Sequence, residues 1–213
     1  KKVLNDINYS SELVIAKVII DKQSPFLRSI IINNIQLEGK KRIKASQFIL
    51  GFPEIIGGSF TSRINMNLRE NKHWSYGARS LLISTKGQRL FITYAPVQTD
   101  KTVESIAEIK RELVEYLSEK PATNEELSKV KDNNTFSLPG RWETANAVLR
   151  DIEEIVTYDL PDNYWDTYAD NVRSLSLDQI AESANNVIKP HNLVWVVVGD
   201  REKIEPRINE LEL

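Results

Sequence analysis

Apolar residues along this chain recur in two distinct patterns. Short apolar runs mark strands at Leu13–Asp21 (LVIAKVIID), Ser29–Leu37 (SIIINNIQL), Tyr76–Thr85, Gln88–Val97 and Leu193–Val198 (LVWVVV). Their β-branched residues suit a pleated, packed surface. Lys86-Gly87 lies between the third and fourth runs and predicts an antiparallel hairpin whose first strand starts at Tyr76. LVWVVV has no polar alternation. It predicts a strand covered on both faces or central in a sheet, the same sheet that holds the hairpin.

Elsewhere the apolar positions fall three and four apart, the spacing of a helical face. Ala45, Phe48, Ile49 and Phe52 share one face of a segment that starts at Gly39, with Pro53 awkward at its end. Phe60, Ile64 and Leu68 form a second stripe. A third is Val103, Ile106, Ala107, Leu113, Val114 and Leu117, after possible caps at Thr99–Thr102 and before Pro121. Thr123–Glu126 and Ser176–Gln179 are capping boxes that open further helices. Between them, Ala145, Val148, Leu149, Ile152, Ile155 and Val156 repeat on helical spacing, and Tyr164, Trp165, Tyr168 and Val172 make a short aromatic face suited to a core. Ile180, Ala184, Val187 and Ile188 face inward on the next helix, and a last helix carries Ile204, Ile208 and Leu211. The element order predicts an α+β fold, a mixed, mostly antiparallel sheet with helices packed on one face. Residues 1–12 are polar and read as a tail or linker. Residues 13–213 read as a single domain.

Composition narrows the function classes. The chain has 213 residues, 41% hydrophobic and 27% charged, with net charge −2 and no basic block, so nucleic acid is an unsuited partner. No apolar run reaches the length of a membrane span, so no membrane insertion is expected. The start at Lys1 shows no signal-peptide pattern and reads as that of an excised fragment or mature piece. Cysteine is absent, which removes disulfides and thiolate chemistry and leaves the compartment open. The two histidines, His73 and His191, belong to no H-x-x-E-H or H-E-x-x-H pair. Catalytic zinc normally takes three protein ligands, so no metal site is expected here.

Gly57–Gly77 (GGSFTSRINMNLRENKHWSYG) concentrates the candidate chemistry. Two glycines suit a tight turn into a helix. Ser59 or Ser62 could cap that helix. Arg69 lies near its C-terminus, where a cation is favoured. Tyr76 follows seven residues later, at the expected start of a strand. A helix and a strand meeting at a polar corner can hold a guanidinium and a phenol near one another.

The string GG-S-F-T-S-R-I, then N-L-R-E, then Y-G resembles the C-terminal half of the pitrilysin/insulinase (inverzincin) class of zinc metallopeptidases, which includes mitochondrial and bacterial processing peptidases. The closing strand, Gly199-Asp200 and final helix are similar to the end of that half. Two departures stand out: Arg28 occupies the place of a usual Gln, and Pro53 that of a common Asn. The resemblance implies two such domains closed as a clamshell around a chamber. It implies zinc as cofactor on an N-terminal H-x-x-E-H half, in the same chain or a separate subunit, and none on this one. Arg69 and Tyr76 match the pair that faces the peptide substrate, to hold its carbonyl or stabilise the developing oxyanion. The expected function is therefore the substrate-binding half of a zinc endopeptidase acting on peptides or unfolded chains, inactive as a fragment. The alternative is a non-catalytic binding or scaffold half of the same fold.

Overall fold

A computed structural model describes the backbone of residues 28–34 and, in full, residues 51–83 and 90–211. The expected strand at Leu13–Asp21, the helix over 39–50 and the Lys86-Gly87 turn lie outside these residues.

The described strands are β1 (Arg28–Asn34), β2 (Arg79–Leu82), β3 (Leu90–Ala95) and β4 (Leu193–Val198). They form one sheet in the order β2-β3-β1-β4, and every described pairing is antiparallel. The hairpin forms as its apolar pattern predicts, with Arg79 opposite Tyr94 and Leu82 opposite Phe91. β4 shares its sheet, as expected. Among the described strands it stands last in the order, beside β1. Leu193, Trp195 and Val196 are buried, while Val194, Val197 and Val198 are only partly so.

The described helical elements begin with α1, a π-helical turn at Glu54–Gly58. α2 (Arg63–Asn65) runs on as a π-helical segment, Met66–Asn71. There follow α3 (Thr102–Leu117), α4 (Asn124–Phe136), α5 (Ala145–Tyr158), α6 (Tyr164–Arg173), α7 (Leu177–Val187) and α8 (Arg201–Ile208). Both capping boxes are present, with Thr123 and Ser176 accepting from the N–H groups of Glu126 and Gln179. The caps expected at Thr99–Thr102 are absent. A short 3-10 turn, Thr99–Lys101, leads into α3 in their place, and Thr102 Oγ1 donates to the Thr99 carbonyl. One continuous core joins Phe52, Ile56, Ile64, Leu68, Phe91, Ile106, Ile109, Leu113, Val172, Ile180 and Trp195.

Two of the predicted stripes are displaced. On α3 the buried side is Thr102, Ser105, Ile106, Ile109, Leu113 and Tyr116, while Ala107 and Val114 face solvent. The core takes polar Ser105 and Tyr116 in their place, a choice made by the packing partner and invisible to hydropathy. On α5 the inversion is larger: its one buried residue is Asp151, and much of its apolar face is exposed.

Candidate functional site

The corner that carries Arg69 and Tyr76 is built by a helix under unusual constraints. Gly57 and Gly58 close α1 without a left-handed turn, since only Gly51 among the described glycines has positive φ. Their role differs from the expected tight turn: a Cβ at Gly57 would run into the Ser80 backbone, so glycine lets α1 lie against β2. Ser80 Oγ donates to the Pro53 carbonyl and ties the same contact from the other side. Ser62 stands at the N-cap of α2 but makes no side-chain cap bond, and Ser59 ends α1 as an extended residue.

Ile64 and Leu68 are buried and anchor α2, but Phe60 is 58% exposed. It precedes the helix, so helical spacing does not apply to it. Its ring lies under the Arg69 guanidinium, with the Arg69 carbon 4.6 Å from the ring centroid. A cation held over an aromatic face keeps its donor edges outward and loses rotamer freedom. Arg69 Nε also stands 3.3 Å from Glu70 Oε1, and both side chains are 39% exposed. Such a surface pair is weak and open to exchange.

The helix ends by reversal at His73, a non-glycine residue with φ of 58°. The Leu68 carbonyl accepts from Trp74 N–H at 2.9 Å, and His73 Nδ1 lies 3.1 Å from the Arg69 carbonyl. This left-handed residue turns the chain from α2 toward the sheet. The strand begins later than the pattern predicts: β2 starts at Arg79, and Tyr76 sits in the bend before it. Ser75 forms an isolated bridge to Val97. Its Oγ donates to the Pro96 carbonyl at 2.6 Å and accepts from Gly77 N–H at 3.1 Å. Tyr76 is thus held between two anchored neighbours with its ring 90% exposed.

Asn65 is the residue that sequence reasoning missed. It is buried, donates from Nδ2 to the Phe60 carbonyl at 2.6 Å, and accepts at Oδ1 from Ala78 N–H at 3.0 Å. One amide therefore ties the loop bearing Phe60, which supports Arg69, to the segment just after Tyr76. The available signal was an asparagine directly beside Ile64, where the helical face turns inward.

Arg63, in the same helix, does different work. Its Nε donates to Glu126 Oε1 at 2.6 Å, and its Nη2 to Glu126 Oε2 at 2.7 Å and to the Pro121 carbonyl at 2.9 Å. Nη1 donates to the Lys120 carbonyl, and the guanidinium lies 4.9 Å from the Tyr116 ring centroid. Burial pushes the Glu126 carboxyl up, but hydrogen bonds from Arg63 and from the Thr123 N–H outweigh it and hold it below the usual range. An open cleft of about 320 Å³ beside this clamp is lined by Arg63, Asn67, Lys72, Arg111, Glu112 and Lys120, among others. Neither Arg69 nor Tyr76 lines it. Its cations are paired with Glu108, Glu112, Glu115 and Glu126.

The histidines do not fit zinc. His73 is tied to its own helix end, and His191 lies in the short turn Pro190–Asn192. Among the described residues no three His, Asp or Glu side chains gather as a metal site. Among them also, no helix is long and apolar enough to cross a membrane.

Residues 49–134 match the family model described as the peptidase M16 inactive domain. The crystal structure of a peptidase M16 inactive domain from Pseudomonas fluorescens superposes with a TM-score of 0.73 at 18% identity, over 88% of this chain and 44% of that one. A protease from Helicobacter pylori does so with a TM-score of 0.73 at 16% identity, over 86% of this chain and 44% of that one. The resemblance seen in Gly57–Gly77 holds: the chain has the fold of a peptidase M16 inactive domain, a small antiparallel sheet with helices. A curated relative, "Non-peptidase homolog YmxG" from Helicobacter pylori, is 26% identical over 153 residues, 70% of this chain and 34% of that protein. The chain thus spans about a third of that relative and under half of the two solved chains.

Proposed function

We infer that this chain is the substrate-binding, non-zinc half of a two-half zinc endopeptidase. In this reading the zinc and its H-x-x-E-H motif belong to a complementary half, in the same polypeptide or a bound subunit. The observation that supports it is the presentation of Arg69 and Tyr76. Both side chains leave an anchored corner toward solvent, and among the described residues no buried carboxylate pairs with the Arg69 head. With one face on Phe60, the guanidinium keeps N–H edges for a peptide carbonyl. The Tyr76 hydroxyl is a second donor. Donors fixed before the reaction, in a chamber with little water, favour an oxyanion over the ground-state carbonyl. The substrate class is a peptide or an unfolded chain that exposes its backbone to such donors.

The curated relative's name, a non-peptidase homolog, favours a second reading, a binding half without chemistry. One experiment separates the two. In the complete protein, Tyr76→Phe removes a single hydroxyl. If it acts in the transition state, turnover falls while the Michaelis constant holds. A raised Michaelis constant with unchanged turnover means ground-state binding only. Peptide binding without turnover in the parent protein supports the scaffold half. Parent kinetics unchanged by the substitution would remove Tyr76 from the site.

A further inference from the structure

α5 presents an apolar face to solvent and turns a carboxylate inward. Val148, Leu149, Ile152 and Val156 are between 39% and 69% exposed. Val148, Ile152 and Val156 are four apart, so they form one continuous ridge along the helix. It spans about 12 Å at 1.5 Å per residue, the width of one crossing helix. All three are β-branched and lose little freedom on being covered.

The helix is not a loosely attached segment. Asp151 accepts from Arg141 Nε at 2.8 Å and Nη2 at 2.6 Å, and from Trp142 Nε1 at 2.7 Å. The Arg141 guanidinium stacks 4.1 Å from the Trp165 ring centroid, which joins the clamp to α6. Thr144 Oγ1 accepts from Ala147 N–H and caps the start. Asp159, left-handed at φ 51°, closes the end. A carboxylate clamp fixes which way α5 faces, and it fixes the apolar ridge outward.

We propose that this ridge is the docking surface for the complementary half-domain. The proposal rests on the two-half reading and names where the halves meet. Both solved relatives carry more than half of their chain beyond the part that superposes here, so in those two proteins a partner of domain size accompanies this fold. The ridge fits one helix of such a partner, packed ridge into groove. The exposed charges beside it, Arg150 and Glu153, are of opposite sign and suit a polar rim. A second copy of this chain fits less well. Four half-exposed aliphatic side chains fall short of the roughly 800 Å² per partner that a free-standing dimer buries. A half tethered in the same assembly needs less area, because its effective concentration is high.

The test uses the complete gene product. Ile152→Cys and, as an exposed control on α7, Glu182→Cys are introduced singly. This chain has no cysteine of its own, so each thiol is unique within it. Maleimide labelling at each position is followed by mass spectrometry of the peptide. Position 152 should label at least about tenfold more slowly than 182 in the folded protein, and equally fast in denaturant. A photo-reactive maleimide at 152 should then cross-link to residues outside this 213-residue sequence. Labelling at 152 as fast as at 182 would overturn the proposal, as would cross-links confined to this sequence. Val156→Cys repeats the test should Ile152→Cys disturb docking. Activity is not the readout. A protected ridge in a protein without peptidase activity would keep the docking surface and defeat only the peptidase reading.

Discussion

Arg63 and Arg69 leave the same helix six residues apart and end in opposite circumstances. Arg63 gives its donors to Glu126 and to the carbonyls of Lys120 and Pro121, and so locks α2 to the start of α4. Among the described residues, Arg69 stands on Phe60 with one half-exposed carboxylate, that of Glu70, nearby. Both belong to one short recognisable string, so the string alone does not separate them. What separates them is the inventory of donors already used. A guanidinium with its donors satisfied inside the fold is structural. One supported on a ring face, with its edges outward, is available to a ligand.

The sharpest break in that contrast is Arg63→Ala. It leaves Glu126 half-buried without its partner, and charged hydrogen bonds of this kind are worth about 1.5–3 kcal/mol each on a mutational scale. Because the pair is partly solvated, a total loss of about 2–3 kcal/mol is expected, read as a lower midpoint in urea. Unchanged stability would mean that the clamp is a surface contact.

Asn65→Ala comes next. It orphans the Ala78 N–H and the Phe60 carbonyl and should cost about 1–3 kcal/mol. It should also loosen the corner, so hydrogen exchange at Ala78 should accelerate. An unaltered Ala78 amide would deny Asn65 its bracing role.

Acid titration should show two groups of opposite sign. Burial raises the Glu126 and Asp151 carboxyls, yet bonds from Arg63 and the Thr123 N–H, and from Arg141 and Trp142, bring both below their ordinary values. Their contribution is complete above the unfolded carboxylate range and is lost as pH falls through their lowered values. Glu54 is the reverse. Burial raises it despite the Asn134 hydrogen bonds, so its contribution is present at low pH and lost as pH rises through its raised value. Asp151→Asn should flatten the acid limb of a stability profile, whereas Glu54→Gln should raise stability near neutrality. A Glu54→Gln protein less stable than its parent at pH 7 would contradict the assignment.

The smallest stability effect belongs to Phe60→Ala. An exposed cation–π contact is worth about 0.5–1 kcal/mol. The functional cost should exceed it, because Arg69 loses its platform.

Much of this was legible in the sequence, and the failures share a cause. The capping boxes, the hairpin and the inward faces of α6 and α7 follow from local chemistry, and the structure has them. Phe60 failed because the helix starts three residues after it, at Arg63. The strand expected from Tyr76 failed because Ser75 bonds Pro96 and Gly77 and holds a bend there. On α5 the amphipathic period is real, but periodicity identifies a face without saying what covers it. Asn65 was missed because its function is to bridge two segments that meet only in the folded chain.

The contrast between the two arginines is tested most directly by Arg69→Ala in the complete protein, with melting temperature and turnover measured on one preparation. The account predicts a melting temperature lowered by no more than the small loss expected of Phe60→Ala, since the same cation–π contact is removed, and a barrier higher by about 2.7–4 kcal/mol, the scale of one lost oxyanion donor. A melting temperature lowered as far as that of Arg63→Ala, with parental turnover in the folded fraction, would show Arg69 to be structural, like Arg63, and would contradict it.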